Sequence, residues 1–224
     1  MRLAPQSRRR RALAGSLSSF DNTAMDPSSD DIIALYERHA NGFDADRGKS
    51  LFEKAWLDRF LAALDVDASI LDVGCGSGEP IARYFIEAGR RITGVDSSAT
   101  LIGLCRERFP AETWAVGDMR QLALGRQFGG ILAWDSFFHL TPEDQRAMFP
   151  IFRAHAAPRA GLMFTSGPSA GEAIGSYRGD ALYHASLDPA EYRTLLGENG
   201  FTVIAHVKED AGCGGRTVWL ARFA

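Results

Sequence analysis

Short apolar runs closed by glycine, proline or aspartate recur along the chain, and the segments between them have helical spacing. Runs of this length suit buried strands, and their alternation with helices predicts a mostly parallel sheet covered on both faces. Seven strands are expected at 69–73, 91–95, 112–116, 130–134, 161–165, 201–207 and 217–222. Helices are expected near 80–88, 99–108, 142–156 and 189–199, with two earlier ones near 30–40 and 50–64. No internal repeat interrupts this order.

Two helix starts are strongly marked. Thr141-Pro142-Glu143-Asp144 and Asp188-Pro189-Ala190-Glu191 each supply a capping side chain, a proline suited to the first helical position and an acid in the first turn. Pro158 and Gly200 follow these helices as expected stops. The last two strands are joined by 208–216, which holds three glycines and no helical pattern. Parallel neighbours need a crossover of about a dozen residues or more, so the last strand is expected to run antiparallel to its predecessor. The long connection 166–188 reads as a loop, and loops of that length in a compact domain are usually functional.

At 224 residues, with 46% apolar and 24% charged, the chain fits one soluble domain, and no stretch approaches the roughly 18 apolar residues of a membrane span. Cys75, Cys105 and Cys213 are odd in number and form no C-x-x-C pair. That argues against a disulfide framework or a metal site and fits a reducing cytoplasm. The net charge of −3 hides an asymmetry. Of 25 basic and 28 acidic residues, five arginines (Arg2, Arg8, Arg9, Arg10, Arg11) and one acid (Asp21) fall in the first 25 positions, so the remainder carries 20 and 27, a net of −7. An acidic body argues against a nucleic-acid partner, whose phosphates want Lys and Arg. The arginine run leads into Ala-Leu-Ala-Gly-Ser-Leu, too short and weakly apolar for a secretory core. Residues 1–25 are therefore read as a disordered Arg-rich tail and 26–224 as the folded domain, with Met25 an alternative start to Met1.

The most informative stretch is Ile70-Leu71-Asp72-Val73-Gly74-Cys75-Gly76-Ser77-Gly78-Glu79-Pro80, where a buried strand passes through three alternate glycines into a helix. Glycine tolerates positive φ and lets a ligand lie against bare backbone. The spacing is G-x-G-x-G and not the G-x-G-x-x-G of dinucleotide folds. Asp72 just before the loop is ill placed beside a pyrophosphate and well placed beside an ammonium group. The second strand ends at Asp96-Ser97, 22 positions after Gly74, where a carboxylate accepts hydrogen bonds from ribose hydroxyls. The third ends at Asp118-Met119, an acid for an adenine amino group and an apolar neighbour for its ring. Because these acids follow consecutive strands, all three line the carboxyl edge of the sheet, where such folds bind ligands.

On these motifs the sequence, over roughly residues 36–222, resembles the class I S-adenosylmethionine-dependent methyltransferases, within them the small-molecule group related to the ubiquinone and menaquinone methyltransferases. The resemblance implies a Rossmann-like three-layer α/β sandwich, with a seven-stranded sheet of order 3-2-1-4-5-7-6, strand 7 antiparallel, and S-adenosyl-L-methionine as cofactor. It implies that Asp72, Gly74, Gly76 and Gly78 hold the methionine part, Asp96 the ribose, and Asp118 with Met119 the adenine. Tyr36, Cys75, Ser97 and Trp134 complete the expected donor contacts.

After the fourth strand, Asp135-Ser136-Phe137-Phe138-His139 stands where this family places residues between donor and acceptor. It superficially resembles the D-P-P-Y motif of nucleic-acid amino methyltransferases, but both prolines are missing and no flipped base is expected. His139, whose ordinary pKa lies near neutrality, is the candidate general base, with Asp135 its competitor. In the resembling family the 166–188 insertion roofs the substrate pocket, so Tyr177, Tyr183 and His184 join His139 as candidate substrate contacts. His39 and Arg47 are assigned to a solvated face or a salt bridge. The expected reaction is in-line methyl transfer to a nucleophilic oxygen, nitrogen or carbon of a small molecule, dominated by positioning. A protein or nucleic-acid acceptor and a catalytically silent donor-binding subunit are the alternatives.

Overall fold

The structure, a computed structural model, describes residues 29–224 except residue 49. The arginine-rich stretch 1–25 and the choice between Met1 and Met25 lie outside the described residues. Strands β1 (Ile70–Val73), β2 (Ile92–Asp96), β3 (Thr113–Val116), β4 (Phe128–Ala133) and β5 (Ala156–Ser166) are mutually parallel, and β8 (Phe201–Asp210) and β9 (Arg216–Phe223) complete one sheet of order β3-β2-β1-β4-β5-β9-β8. With β9 antiparallel to both β5 and β8, this is the expected Rossmann-like order once the strands are counted within the sheet.

Side chains alternate across a strand, and here both faces are apolar. Leu71, Ile131, Leu162 and Phe164 pack with Phe149 and Phe152 of α5 (Pro142–His155) and Tyr192 of α6 (Pro189–Glu198). Ile70, Leu132 and Met163 point the other way, toward Phe60 of α2 (Lys54–Ala62), Phe85 of α3 (Ile81–Glu87) and Ile102 of α4 (Ala99–Arg108). Each such large side chain contributes about 1.5–3 kcal/mol on full burial. The two-sided core therefore fixes the sheet rigidly beneath its carboxyl edge.

Both expected caps form: Thr141 Oγ1 accepts from the Asp144 amide at 3.1 Å and Asp188 Oδ1 from the Ala190 amide at 2.7 Å. Gly200 ends α6 with φ +83°. Pro158 does not act as a separate stop, because β5 starts at Ala156 directly from α5 and contains it. Proline lacks the ladder N–H, and the β4–β5 register shifts between Phe128 and Gly130, at this end of the pair. Helix α1 (Ser29–Asp46) runs a turn and a half beyond its expected end, through Gly42. The larger correction concerns 166–188, which is a β-hairpin and not a loop: β6 (Gly171–Tyr177) pairs with β7 (Asp180–Ser186) as a separate two-stranded sheet. Its two-residue turn, Arg178-Gly179, has φ +51° and +93°, the left-handed pair that a tight hairpin twist demands.

Candidate active site

The carboxyl ends of β1 to β4 open into a cavity whose outer wall is α1, through Ile32, Tyr36 and Phe43. The sheet side contributes Gly74, Gly76, Asp96, Ser97, Asp118, Met119, Asp135, Ser136 and His139, so nine of the residues singled out from sequence, Tyr36 included, meet here. Gly74 has φ +77°, and a Cβ there would lie 2.3 Å from the Ser136 Cβ. Ser136 in turn donates through Oγ to the Val73 carbonyl at 2.8 Å, so the glycine loop and the β4 loop lock together around that missing side chain.

Asp96 organises the loop. Its Oδ2 accepts from the Gly76 amide and its Oδ1 from the Ser98 amide, both at 2.9 Å. Burial pushes its carboxyl above the usual range, and these two amides only partly offset that. Asp72 shares the parity of Ile70 on β1, so it lies buried behind the loop and not in the cavity wall. Burial, with Asp96 adding its charge, pushes the Asp72 carboxyl up to about 7. Two desolvated acids at the glycine loop favour a cation, which would stabilise both ionised forms. This matches the ammonium end of S-adenosylmethionine, and Gly74 and Gly76 both line the adjoining cavity.

Two other acids are already neutralised. Asp118 accepts a fork from Arg120 at 2.7–3.1 Å. Burial works to raise its carboxyl, and the Arg120 side chain and amide outweigh this and leave it below the usual range. Asp135, in the left-handed region at φ +47°, is gripped by Arg216 of β9 at 2.7–3.0 Å. The carboxylate expected to compete as a base is thus half of an ion pair. Its positive φ is the conformation that Asp tolerates better than most residues.

His139 is buried, with Nδ1 2.8 Å from the Tyr183 carbonyl and Nε2 3.0 Å from the Tyr36 hydroxyl. A carbonyl can only accept, so Nδ1 carries the proton and Nε2 accepts from Tyr36 Oη–H. Burial pushes His139 down to about 4, far from the near-neutral value expected of it. The Tyr36 phenol is held well above its ordinary pKa, first by burial and then by Asp135 and Asp96, and stays protonated.

The remaining expected contacts lie elsewhere. Cys75 turns its thiol back toward the Gly76 carbonyl at 3.7 Å and toward Cys105, and Gly78 packs near Phe109. Trp134 is buried in the α2–α3–α4 core. Tyr183 packs with Ile32 of α1, and His184 faces a second groove. Tyr177 donates to Asp46 at 3.0 Å and joins a clasp between hairpin and helix, in which Arg178 also pairs with Asp46, and Arg38 and His39 pair with Asp180. Sequence reasoning missed Arg120, Arg216 and Glu37. Glu37 fastens α1 to the start of α4 by accepting from Ser98 Oγ at 2.5 Å and Thr100 Oγ1 at 2.7 Å. An acid one position after Tyr36 was the signal available, but its partner lies 61 residues away.

Residues 70–159 match a protein family described as "Methyltransferase domain". Among curated relatives, the chain is 33% identical over 93 residues to a dTDP-3-amino-3,6-dideoxy-alpha-D-glucopyranose N,N-dimethyltransferase of Streptomyces fradiae, covering 41% of this chain and 36% of that one. It is 36% identical over 69 residues to a malonyl-[acyl-carrier protein] O-methyltransferase of Pectobacterium atrosepticum, covering 30% and 27%. The matched stretch thus spans about a third of the length of these relatives. Among solved structures, CalS10, an amino pentose methyltransferase from Micromonospora echinaspora with S-adenosylmethionine bound, superposes with a TM-score of 0.63 at 22% identity over 85% of this chain and 97% of that one. The fold is therefore that of the class I S-adenosylmethionine-dependent methyltransferases.

Proposed function

We propose that this chain, whose fold and matched domain are those of class I S-adenosylmethionine-dependent methyltransferases, transfers a methyl group to an amine nitrogen of a small molecule. When bound, S-adenosylmethionine supplies a methyl group on a cationic sulfonium sulfur. On the protein side, Asp72 and Asp96 favour the cationic methionine end and Gly74 and Gly76 present bare backbone to it. Asp96 and Ser97 stand toward the ribose, and Met119 with the Asp118–Arg120 pair toward the adenine. Phe43 and Tyr36 of α1 exclude water from above.

The observation that carries the amine reading is the direction of the Tyr36–His139 hydrogen bond. The hydroxyl proton is committed to Nε2, so Tyr36 Oη offers the cavity lone pairs alone, and the N–H of a neutral amine is the matching donor. Held there, the amine keeps its own lone pair for attack and needs no base beforehand. An alcohol or phenol would need its proton removed, and an imidazole held near 4 is a poor store for it. His139 accordingly acts by orienting Tyr36, and proton loss from the methylated amine goes to solvent. The relatives from Streptomyces fradiae and Micromonospora echinaspora, named for amino sugars, support this reading.

The single-domain reading of 26–224 and a cytoplasmic location belong to the same proposal. The second is supported by the three free thiols, and no described helix is long and apolar enough to cross a membrane. A screen of small amines, alcohols and phenols with the donor, scored by released S-adenosylhomocysteine, tests the function. Turnover of hydroxyl acceptors with none of amines reverses the nitrogen assignment, and donor binding with no turnover on any acceptor marks a silent subunit.

A further inference from the structure

A second groove, of about 370 Å³, runs beneath the β6–β7 hairpin. It shares a wall with the donor cavity: the His139 ring lies 4.8 Å from that of His184 and 4.8 Å from that of Phe138, and both of these line the groove. His139, whose Nε2 accepts from Tyr36, thus stands between the acceptor-holding hydroxyl and the groove. We propose that the groove holds the body of the acceptor and selects an uncharged or cationic, hydroxyl-bearing ring over one carried on a phosphate. The inference rests on the methyl-transfer reading above.

Several polar groups of the groove present hydrogen-bond acceptors. His184 Nδ1 lies 3.1 Å from the Leu182 carbonyl and so carries the proton, leaving Nε2 as a lone pair. Partial burial lowers its pKa and keeps the ring neutral. Ser166 spends its hydroxyl proton on the Gly167 carbonyl at 2.9 Å, while its oxygen takes Trp219 Nε1–H at 3.0 Å. The Gly167 amide, a possible anion ligand, is already spent on Ser186 Oγ at 2.6 Å. Glu172 adds a carboxylate, and among the described lining residues none is Lys or Arg. Phosphate groups are held by guanidinium forks, ammonium groups or clustered amides, and a carboxylate repels them. Hydroxyl or ammonium donors above the apolar face of Phe138 fit the same inventory without conflict.

The test uses the full-length chain saturated with S-adenosylhomocysteine and two calorimetric probes, methyl 3-amino-3-deoxy-α-D-glucopyranoside and the same amino sugar linked to thymidine diphosphate. The glycoside is expected to bind about tenfold tighter or more, and Glu172→Gln should narrow that gap to a few-fold by removing the repulsive charge. Equal or tighter binding of the diphosphate-linked sugar by the unaltered chain overturns the inference, and so does failure of the glycoside to bind. Methylation of the bound glycoside is scored separately with the donor present. Its absence alongside the expected binding preference counts against the amine reading while upholding the groove assignment.

Discussion

Donor binding should release a proton from Asp72 and should therefore strengthen as pH rises toward neutrality. In the ligand-free protein, burial and the neighbouring Asp96 carry this carboxyl from 3.8 to about 7, a preference for the neutral form worth roughly 4 kcal/mol. An ammonium group bound on the cavity side of the glycine loop stabilises the ionised form across the loop, so the bound state holds fewer protons than the free state wherever pH lies below about 7. Affinity should then rise by up to about tenfold per pH unit well below pH 7, or ~50-fold between pH 5 and 7. Calorimetric titration of S-adenosylhomocysteine at pH 6, in buffers of different ionisation enthalpy, should count close to one proton released. The ligand-free protein behaves oppositely. A carboxyl whose folded value exceeds its unfolded one contributes stability that is complete below pH ~3.9 and is lost as pH climbs through about 7. Asp72→Asn should therefore melt higher than the parent above pH 7 while binding the donor more weakly and without proton release. A pH-independent affinity in the parent, or proton release that survives in Asp72→Asn, would refute the assignment.

Asp96→Ala removes the carboxylate assigned to the ribose hydroxyls; with charge-assisted bonds worth about 1.5–3 kcal/mol each, donor affinity measured by calorimetry should fall more than tenfold. Tyr36→Phe should cut amine turnover by about 10- to 100-fold with donor affinity held within a few-fold; unchanged turnover would remove Tyr36 from acceptor positioning. Because burial pushes His139 down to about 4, its contribution to stability, up to about 3 kcal/mol, is present above pH 6.5 and lost as pH falls toward 4. Chemical denaturation of His139→Gln should show a flatter acid limb than the parent. Deletion of residues 1–24 should leave melting temperature and donor affinity unaltered, since an arginine run adds no core area, and a drop of several degrees would show that it docks.

Sequence pattern was most informative where local chemistry decides structure. The buried strands, the Thr141 and Asp188 caps and the antiparallel last pair follow from periodicity, capping and connection length, and all are observed. The hairpin was hidden because its turn is Arg178-Gly179, with an arginine in a left-handed position usually filled by Asn, Asp or Gly. Its first strand, exposed from Gly171 to Ser176 and half-buried only at Tyr177, carries no buried stripe to give a period. At the site, the glycine loop and its acids were legible because their spacing is local. What was not legible is which acids have partners. Arg216 reaches Asp135 across 81 residues, and the tautomer of His139 is set by the Tyr183 carbonyl 44 residues away. Burial then moves the histidine in the direction opposite to that needed for a base at neutral pH.

Those long-range partners divide the acids at the sheet edge into two kinds. Asp118 and Asp135 each lie in a guanidinium fork, and so present an ion pair to the cavity with little net charge. Asp72 is buried, and Asp96 is held by the Gly76 and Ser98 amides, so these two keep an unmet preference for a cation. Negative potential is thus concentrated at the glycine loop, while the far wall, Tyr36 and His139, is neutral. A sulfonium donor is attracted to the first region. At the second, Asp135, whose charge reaches Tyr36, is tied into its ion pair with Arg216, so a neutral amine keeps its lone pair available. Charge moves from sulfur toward nitrogen during transfer, so the hydrogen bond that the Tyr36 oxygen accepts from the resting amine strengthens as the ammonium develops, and the uncharged wall stabilises the transition state more than the ground state.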